Sequence, residues 1–367
     1  MKTTVAIIGL GLLGGSLAAA FKQKPADYEI VGYNHNHASA EEALRMGIID
    51  RAALTVEEAA SDADVIFICT PVRVIPELAV KAGKNAKKGA IVTDVGSTKV
   101  NIVKDVEQLM PEGVHFIGGH PMAGSEKHGV AASNPTLFKN THYLLTPTQK
   151  TDMSAYQKLH SMLTSIGANV LAIDPYKHDR AVAVISHLPH MVAAVLMNLA
   201  SSEANKTENL LLLAAGGFKD TTRIAAGSPR MWIDICLDNK DAILYSLDKM
   251  VEMLNSLRND IAAEDRGAIK MALEKAQKAR INMPSVLGKE LERLYELYIP
   301  VSDKPGVISD ITLTIGQLGI NIEDIEILHV TDSSGTIRLA IPEKGNADRA
   351  AAALAQKGYE VDLRTQG

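Results

Sequence analysis

The chain has 367 residues, and its 46% hydrophobic and 22% charged content is the balance of an ordinary soluble globular protein. That length is too great for one ordinary core and predicts two or three domains. The formal net charge of -5 at pH 7 leaves no basic excess to pair with phosphates, so we expect no nucleic-acid partner. The two cysteines, Cys69 and Cys236, have no CxxC spacing, which excludes a thiolate zinc site and favours a reducing, cytoplasmic location.

The first segment after Lys2 is apolar and superficially resembles a secretion signal. Its glycines recur at a fixed spacing, and a charged helical stretch and a second strand follow it. We therefore predict that it forms the first strand, turn and helix of a folded domain. No stretch of the chain is predicted to be long and apolar enough to span a bilayer, so we expect no membrane partner.

Between residues 1 and 175, short β-branched runs alternate with helical segments. Because the strands are nearly continuous apolar runs, the pattern predicts an α/β domain with a parallel sheet covered by helices on both faces. The strands are predicted at 4–9, 28–33, 64–70, 90–94, 115–118, 142–146 and 169–173, and the helices at 12–22, 40–46, 74–86, 98–110 and 152–166.

The rest of the chain has a different pattern of helix-forming and strand-forming residues. Residues 176–285 hold many helix formers and almost no strand pattern, which predicts an all-α domain. Its segment 181–200 is apolar nearly all round and must be buried, either at the centre of that domain or in a subunit interface. From 293 to 367 the pattern becomes β-α-β-β-α-β, the order of a ferredoxin-like domain, after a linker at 283–288.

A glycine-rich turn lies at the start of the first domain. It follows a strand, opens a helix and fits G-x-G-x-x-G, in which the glycines permit the turn, the approach of a pyrophosphate and close helix–strand packing. The helix N-terminus adds free N–H groups and a partial positive charge for the phosphates. The predicted Rossmann-type site has as its cofactor-binding residues Gly9, Gly11, Leu12, Leu13, Gly14, Asn34, Thr70 and Pro71.

Asn34 bears on the choice of cofactor. The end of the second strand normally carries an acidic residue that binds the ribose hydroxyls of NAD, and Asn34 takes that place here. An amide can hydrogen-bond a hydroxyl, but it does not repel a 2′-phosphate as a carboxylate would, and His35 could accommodate that phosphate. We predict NAD and leave NADP open.

Two polar segments follow consecutive strands, one containing Ser97 and the other His120. In an open α/β sheet ligands collect at the carboxyl ends of the strands, so both residues should face the nicotinamide end of the crevice. Removal of a hydride from a carbinol carbon requires an acceptor for the hydroxyl proton, and a neutral imidazole can take it near pH 7. The structural alternative is a histidine that only caps its loop.

The helical region adds two groups of polar residues. His187 and His190 are three residues apart without a third ligand, so we expect no metal, and both could be satisfied inside a helical core. A glycine pair is followed by Lys219, Asp220 and Arg223. These form either a solvated charge cluster or a clamp for a carboxylate, for which the fork of arginine is suited.

The motifs GLGLLGGS, DVGSTK, GGHPMAGSEKHG, SHLPH and GGFKDTTRIA, in that order, resemble those of the prephenate dehydrogenase family. The resemblance implies oxidative decarboxylation of prephenate to 4-hydroxyphenylpyruvate with hydride transfer to NAD, a step of tyrosine synthesis. It implies that His120 takes the ring hydroxyl proton, that Ser97 orients this hydroxyl and the nicotinamide, and that Arg223 binds a substrate carboxylate. The other substrate-binding residues it implies are His190, Ser125, Glu126, Lys219 and Asp220.

The tail YELYIPVSDKPGVISDITLTIGQLGINIEDIEI resembles an ACT domain, a regulatory module that binds amino acids. This resemblance implies feedback inhibition by tyrosine, with a role in assembly alone as the alternative. The helical domain of the family forms the dimer, so we expect a homodimer. The implied effector-binding residues are Asp303, Pro305, Gly306, Val307 and Asn321.

Three other functions stay open at this point. Arogenate (cyclohexadienyl) dehydrogenase uses the same chemistry on the amine analogue of the side chain. A β-hydroxyacid dehydrogenase would use a lysine of the helical part, for which Lys219 is the only candidate, and the GGHP loop argues against it. A sensor that binds dinucleotide without turnover is disfavoured by the set of His120, Ser97 and Arg223.

Overall fold

The computed structural model describes residues 2–24, 27–124, 128–206, 209–283, 294–302, 304–322, 324–331 and 334–365. The chain divides into two units, residues 1–278 and residues 279–367.

Eight strands form one sheet in the first unit: β1 (Thr3–Ile8), β2 (Tyr28–Tyr33), β3 (Arg51–Ala52), β4 (Val65–Ile68), β5 (Ile91–Asp94), β6 (His115–Pro121), β7 (His142–Thr146) and β8 (Asn169–Ala172). Their order is β3-β2-β1-β4-β5-β6-β7-β8. After β3 the chain crosses back and places β4 on the other side of β1. The strand order therefore switches direction between β1 and β4, which leaves a crevice at the carboxyl ends of these two strands.

The expectation of a fully parallel sheet was wrong at one pair of strands. β6 and β7 are antiparallel, with Gly118 opposite Thr146 and Pro121 opposite Tyr143. A parallel connection needs a crossover, usually a helix. The described part of the connection between these strands holds only the 3₁₀ turn Val130–Ala132, so the chain returns as an antiparallel neighbour.

The central strands are buried on both faces, which explains their continuous apolar runs. Along β1, Val5 and Ile7 pack into one apolar layer while Ala6 and Ile8 pack into the layer on the opposite face. All four side chains are fully buried. Successive side chains of a strand point to opposite faces, so a strand that is covered on both sides needs no polar alternation.

The helices described in this unit are α1 (Leu12–Lys22), α2 (His37–Arg45), α3 (Val56–Ala60), α4 (Ile75–Asn85), α5 (Val100–Leu109), α6 (Met153–Ser165), α7 (Pro175–Val182), α8 (Leu188–Ala204), α9 (Gly216–Thr222), α10 (Pro229–Asp238), α11 (Lys240–Ala262) and α12 (Arg266–Ile281). Several begin at a residue whose side chain accepts from a backbone N–H of the first turn. Thr55 does so for α3, Asp152 for α6 and Asp174 for α7.

α7 and α8 form one continuous helix, Pro175–Ala204, because a wide π-helical turn at Ala183–His187 joins them. This helix is long and apolar enough to cross a membrane by length and composition, so the expectation that no stretch would be was wrong. Pro189 lies within it but does not end it, since the wide turn leaves room for the proline ring. By itself the helix does not indicate a membrane protein, because the core helix of a soluble protein passes the same test.

The burial expected for segment 181–200 is incomplete within one chain. His187, His190 and Ala193 are buried, whereas Ile185 and Val195 are 65% and 67% exposed. The buried side of the helix thus carries the histidines, and its outer side presents apolar side chains.

The second unit contains β9 (Leu294–Ser302), α13 (Val307–Gln317), β10 (Asp324–Thr331), β11 (Ser334–Pro342), α14 (Lys344–Gln356) and β12 (Asp362–Thr365). The β-α-β-β-α-β order expected from the tail is present. The strands form an antiparallel sheet in the order β10-β11-β9-β12. Its core joins apolar residues of the strands to those of both helices, such as Leu297, Leu339, Ile315 and Leu354.

Candidate functional site

The glycine-rich turn has the geometry of a dinucleotide cradle. Gly9 has a φ of +104°, and a Cβ there would overlap the carbonyl oxygen of Cys69. A Cβ at Gly14 would overlap the carbonyl oxygen of Gly9, so α1 packs directly on the end of β1. Gly11 differs, because a Cβ there would meet nothing within 4 Å and would occupy open space beside the turn. That open space is where a pyrophosphate could approach the backbone.

The start of α1 is free to receive an anion. Gly11 caps the helix without a side-chain hydrogen bond, and the first turn carries no acidic residue. Leu12 and Leu13 are both partly exposed there. Nearby at the end of β4, the hydroxyl of Thr70 is buried and has no hydrogen-bond partner among the described residues, while Pro71 is exposed. A helix N-terminus, an orphaned hydroxyl and an open glycine fit the phosphates of a dinucleotide.

Asn34 lies at the end of β2 and is already engaged with the turn. Its side-chain oxygen accepts from the N–H of Leu10 at 3.1 Å, and its amide nitrogen donates to the carbonyl of Asn36 at 3.2 Å. The residue therefore braces the glycine-rich turn from the neighbouring strand. An aspartate could accept the same N–H, so this bond does not require an amide.

A buried ion pair underlies the catalytic segments, and sequence reasoning missed it. Lys99 Nζ pairs with Asp94 Oδ2 and donates to the carbonyl of Gly119 at 2.9 Å, with both charged side chains fully buried. Asp94 also accepts from the N–H groups of Gly96 at 2.8 Å and Gly119 at 3.1 Å. Burial lowers the pKa of Lys99 from its ordinary value, and the Asp94 carboxylate opposes that shift. The pair ties the end of β5 to the end of β6.

His120 lies near the end of β6, directly after Gly119. Its Nδ1 is 2.8 Å from Nε2 of His178, and among the described residues its Nε2 has no hydrogen-bond partner. Burial of the ring lowers the pKa of His120 well below its ordinary value of 6.5, and the charge of Lys99 lowers it further. The residue stays partly exposed. It is therefore a neutral base near pH 7 with one ring nitrogen available.

His178 is fully buried on α7, and sequence reasoning also missed this residue. Its Nδ1 is 2.7 Å from Oδ1 of Asp179. The Asp179 carboxylate in turn accepts the N–H of Lys99 at 2.7 Å and of Val100 at 2.9 Å, at the start of α5. The helical region is thereby attached to the segment that carries Ser97.

A second histidine cluster lies on the helical side. His190 stacks on Trp232 with ring centroids 3.6 Å apart and an interplanar angle of 13°, and His187 meets the same indole edge-on at 6.0 Å. The amide of Asn239 donates to Nδ1 of His187 at 3.1 Å. Burial lowers the pKa of His187 to about 4. Trp232 thus packs against both histidines.

The charged residues that were assigned to the substrate are open to solvent. Lys219 and Asp220 lie on α9 and Arg223 follows it, all three exposed. No ion pair joins these residues to one another within the described part of the chain. Ser97 is partly exposed between β5 and α5, and its hydroxyl makes no hydrogen bond to a described residue. Ser125 and Glu126 lie outside the described residues.

The residues assigned to an effector belong to the second unit. Pro305 and Gly306 are exposed just before α13, and Gly306 has a φ of +92° at the start of that helix. Val307 is partly buried, and Asn321 is exposed after the helix. Asp303 lies outside the described residues. Among the described residues, no three or more metal-ligating side chains lie together in one group.

The fold and the site define a class of protein, a Rossmann-type oxidoreductase with an imidazole near the carboxyl end of β6, in the same sheet as its dinucleotide crevice. Residues 17–172 match the family described as the nucleotide-binding domain of prephenate dehydrogenase. Residues 174–275 match its dimerization domain. The chain belongs to the prephenate dehydrogenase family.

The chain is similar to named relatives over most of its length. It is 37% identical to a prephenate dehydrogenase of Bacillus subtilis over 98% of both chains. It is 33% identical to a cyclohexadienyl dehydrogenase of Zymomonas mobilis over 76% of this chain and 94% of that one. A crystal structure of prephenate dehydrogenase from A. aeolicus with hydroxyphenyl propionate and NAD+ matches with a TM-score of 0.72 at 33% identity, covering 77% of this chain and 99% of that chain.

Proposed function

We propose that this protein is an NAD-dependent prephenate dehydrogenase, which converts prephenate to 4-hydroxyphenylpyruvate with loss of carbon dioxide. The observation that carries the proposal is the neutral imidazole of His120, near the carboxyl end of a strand in the sheet that holds the dinucleotide cradle, in a chain of this family. Loss of carbon dioxide makes the ring aromatic, so the driving force lies in the substrate. The protein has only to align the reactants and accept one proton.

The residues divide this work. Gly9, Gly11 and Gly14, with the start of α1 and the flanking Leu12, Leu13, Thr70 and Pro71, would hold NAD, which when bound accepts a hydride at its nicotinamide ring. His120 Nε2 takes the proton of the ring hydroxyl, since a neutral imidazole is the matched base near pH 7. Ser97 orients that hydroxyl, and Arg223 binds a carboxylate of the substrate. His190, Ser125, Glu126, Lys219 and Asp220 complete the substrate-binding set.

The choice of NAD over NADP is supported by the similar crystal structure from A. aeolicus, which contains NAD+. Asn34 keeps its side chain on the turn through Leu10 and can still offer a hydrogen bond to a ribose hydroxyl. NADP is the alternative, because no carboxylate at this position repels a 2′-phosphate.

The second unit is proposed to be an ACT regulatory domain that binds tyrosine. The two family matches end at residue 275, before this unit begins. The start of α13 carries no side-chain cap, so its N–H groups can receive the carboxylate of an amino acid. Pro305, Gly306 and Val307, with Asp303 and Asn321, would surround that ligand. Prephenate and tyrosine must then weaken each other's binding by the same factor.

The three proposed domains are residues 1–175, 176–285 and 293–367, in a cytoplasmic homodimer. The exposed apolar side of the long helix supports the dimer, since side chains such as Ile185 and Val195 would be covered by a second copy. Sedimentation of the full chain over a range of concentrations tests this assembly, and a monomer at every concentration would refute it.

Initial rates with prephenate and with arogenate, each with NAD and with NADP, test the main proposal. We expect rapid NADH formation from prephenate and its suppression by tyrosine. Preference for arogenate would favour the alternative, an arogenate (cyclohexadienyl) dehydrogenase, and the similarity to the Z. mobilis relative keeps that comparison necessary. Turnover of neither substrate would refute both.

A further inference from the structure

His120, His178 and Asp179 form one chain of hydrogen bonds that ends on backbone. Nδ1 of His120 meets Nε2 of His178 at 2.8 Å, and Nδ1 of His178 meets Oδ1 of Asp179 at 2.7 Å. His178 is fully buried and Asp179 is 5% exposed, so bulk water does not compete with these bonds. This series of hydrogen bonds connects His120, the predicted base, to α7.

Asp179, the last residue in this series of hydrogen bonds, determines which atom is the donor in each of them. Asp179 accepts the N–H groups of Lys99 and Val100, and a backbone N–H can only donate. Both donors lie at the start of α5, where the N-cap residue Lys99 makes no side-chain capping hydrogen bond. The Asp179 carboxylate therefore also lies at the positive end of the helix dipole. An ionised carboxylate has only acceptors to offer, which matches these two donors. Nδ1 of His178 must therefore carry a proton.

The protonation of His120 follows from that of His178. A neutral imidazole carries one hydrogen, so Nε2 of the buried His178 is an acceptor. Nδ1 of His120 must then be the donor, which leaves Nε2 of His120 without a hydrogen. A second proton on His178 would reverse this order, but it would place a cation in a fully buried position.

We propose that His178 and Asp179 are positioning residues that hold His120 as the Nδ1–H tautomer, with Nε2 free to accept the substrate proton. This deepens the proposed function and rests on the assignment of His120 as the base. Because Asp179 is held by two backbone donors, it fixes the orientation and tautomer of the histidines and is not itself protonated in the reaction.

The neighbouring contacts make α7 a firm support for this role. Asp174 caps the helix by accepting from Tyr176 and Lys177, both at 3.0 Å. The carbonyl of Asp179 accepts the amide of Asn239 at 2.8 Å, which ties α7 to the start of α11. The positions of His178 and Asp179 are therefore fixed by three separate elements, α5, α7 and α11.

Nitrogen-15 NMR of the histidine side chains in the full-length protein, without substrate, tests the proposal directly. His120→Asn and His178→Leu identify the resonances of the two rings. We expect His120 with a protonated Nδ1 and an unprotonated Nε2, and the same pattern in His178. A protonated Nε2 on His120, or an imidazolium at His178, would overturn the proposal. The readout needs no turnover, so its result is separate from any failure of the activity with prephenate.

Kinetics of His178→Leu supply the second test. Without its partner, His120 loses its fixed tautomer, and we expect kcat to fall about 10²-fold while KM for prephenate changes little. The ring of His120 should then show a mixture of tautomers by NMR. His160→Leu is the matched control, because His160 lies on α6 outside the chain of bonds and should keep both readouts. Unchanged kcat and tautomer in a folded His178→Leu variant would refute the positioning role, and a variant that fails to fold leaves the wild-type spectrum decisive.

Discussion

The glycine-rich turn and the histidine site lie in the same unit but depend on different kinds of information. The turn is local, because Gly9, Gly11 and Gly14 act through the backbone of one strand and one helix. The histidine site gathers His120 from β6, His178 from α7 and Asn239 from the start of α11. A local device can be recognised from spacing, whereas an assembled one exists only when distant segments meet.

Loss of the base should have the largest effect and test the assembled site. His120→Asn removes the proton acceptor, and we expect kcat to fall about 10²–10⁴-fold. Stopped-flow or steady-state assays of NADH formation from prephenate measure the effect. Thermal unfolding serves as the control for folding, and near-normal turnover would remove His120 from the chemistry.

The buried ion pair should contribute most to stability within that site. Lys99→Met leaves the Asp94 charge without its partner, and we expect a loss of about 3–5 kcal/mol in the free energy of unfolding. Urea unfolding followed by the fluorescence of Trp232, the only tryptophan of the chain, reports on this unit. Lys81→Met breaks an exposed pair with Glu57 and should change the free energy of unfolding far less, because solvent screens the two charges. Equal losses in the two variants would contradict the assignment.

Acid should destabilise the assembled site through His187. Its pKa is about 4 when folded and 6.5 ordinarily, so between those values the unfolded chain binds more protons. The free energy of unfolding therefore keeps its full value above pH 6.5. As the pH falls from 6.5 towards 4, protonation of His187 in the unfolded chain lowers it by about 3 kcal/mol. His187→Gln should flatten the pH dependence of the free energy of unfolding over this window. Parallel curves for the variant and the wild type would show that another group is responsible.

Arg223 tests whether an exposed residue belongs to the same site. If it binds the ground-state carboxylate, Arg223→Ala should raise KM for prephenate about tenfold to a hundredfold and change kcat less. Arg230→Ala, which removes another exposed arginine from the neighbouring α10, is the control. A fall in kcat at unchanged KM would move Arg223 from binding to chemistry.

Two alanine substitutions separate the functions of the glycines in the local turn. At Gly14 the new methyl group overlaps the carbonyl of Gly9, so Gly14→Ala should cost about 1–3 kcal/mol of stability. At Gly11 the methyl group enters open space, so Gly11→Ala should fold normally and raise KM for NAD. Isothermal titration with NAD and urea unfolding distinguish the two effects. Loss of stability at Gly11 would contradict the assignment of that space to the cofactor.

The elements were predicted well where a strong local pattern exists. The strands at 28–33 and 142–146 have the bounds that the apolar runs indicated, and the tail shows the expected order of helices and strands. The direction of β7 was missed because parallel and antiparallel strands can carry the same apolar run, and the connection decides between them. The full length of the helix Pro175–Ala204 was missed because its first turns are polar, so the apolar segment 181–200 does not mark where the helix begins.

The site was predicted in part for a similar reason. His120 lies near the end of β6 and Ser97 follows β5, so the topology of the sheet places both residues. His178 and Asp179 sit in a charged helical stretch that has the composition of a solvated surface, and nothing in their spacing indicates burial. Asp94 and Lys99 lie at the two ends of a motif that was recognised. The sequence of that motif does not show that the charge of the lysine is buried inside the protein.

The sequence by itself determined the glycine-rich turn, the alternation of strands and helices, and the family, because each is written in residues that are close together along the chain. Only the tertiary structure decided that two histidines and an aspartate share one chain of hydrogen bonds, and that a buried lysine ties two strands together beneath it. The physical reason is that a hydrogen bond or an ion pair depends on the distance and direction between two groups, and for residues such as His120 and His178 folding alone sets both.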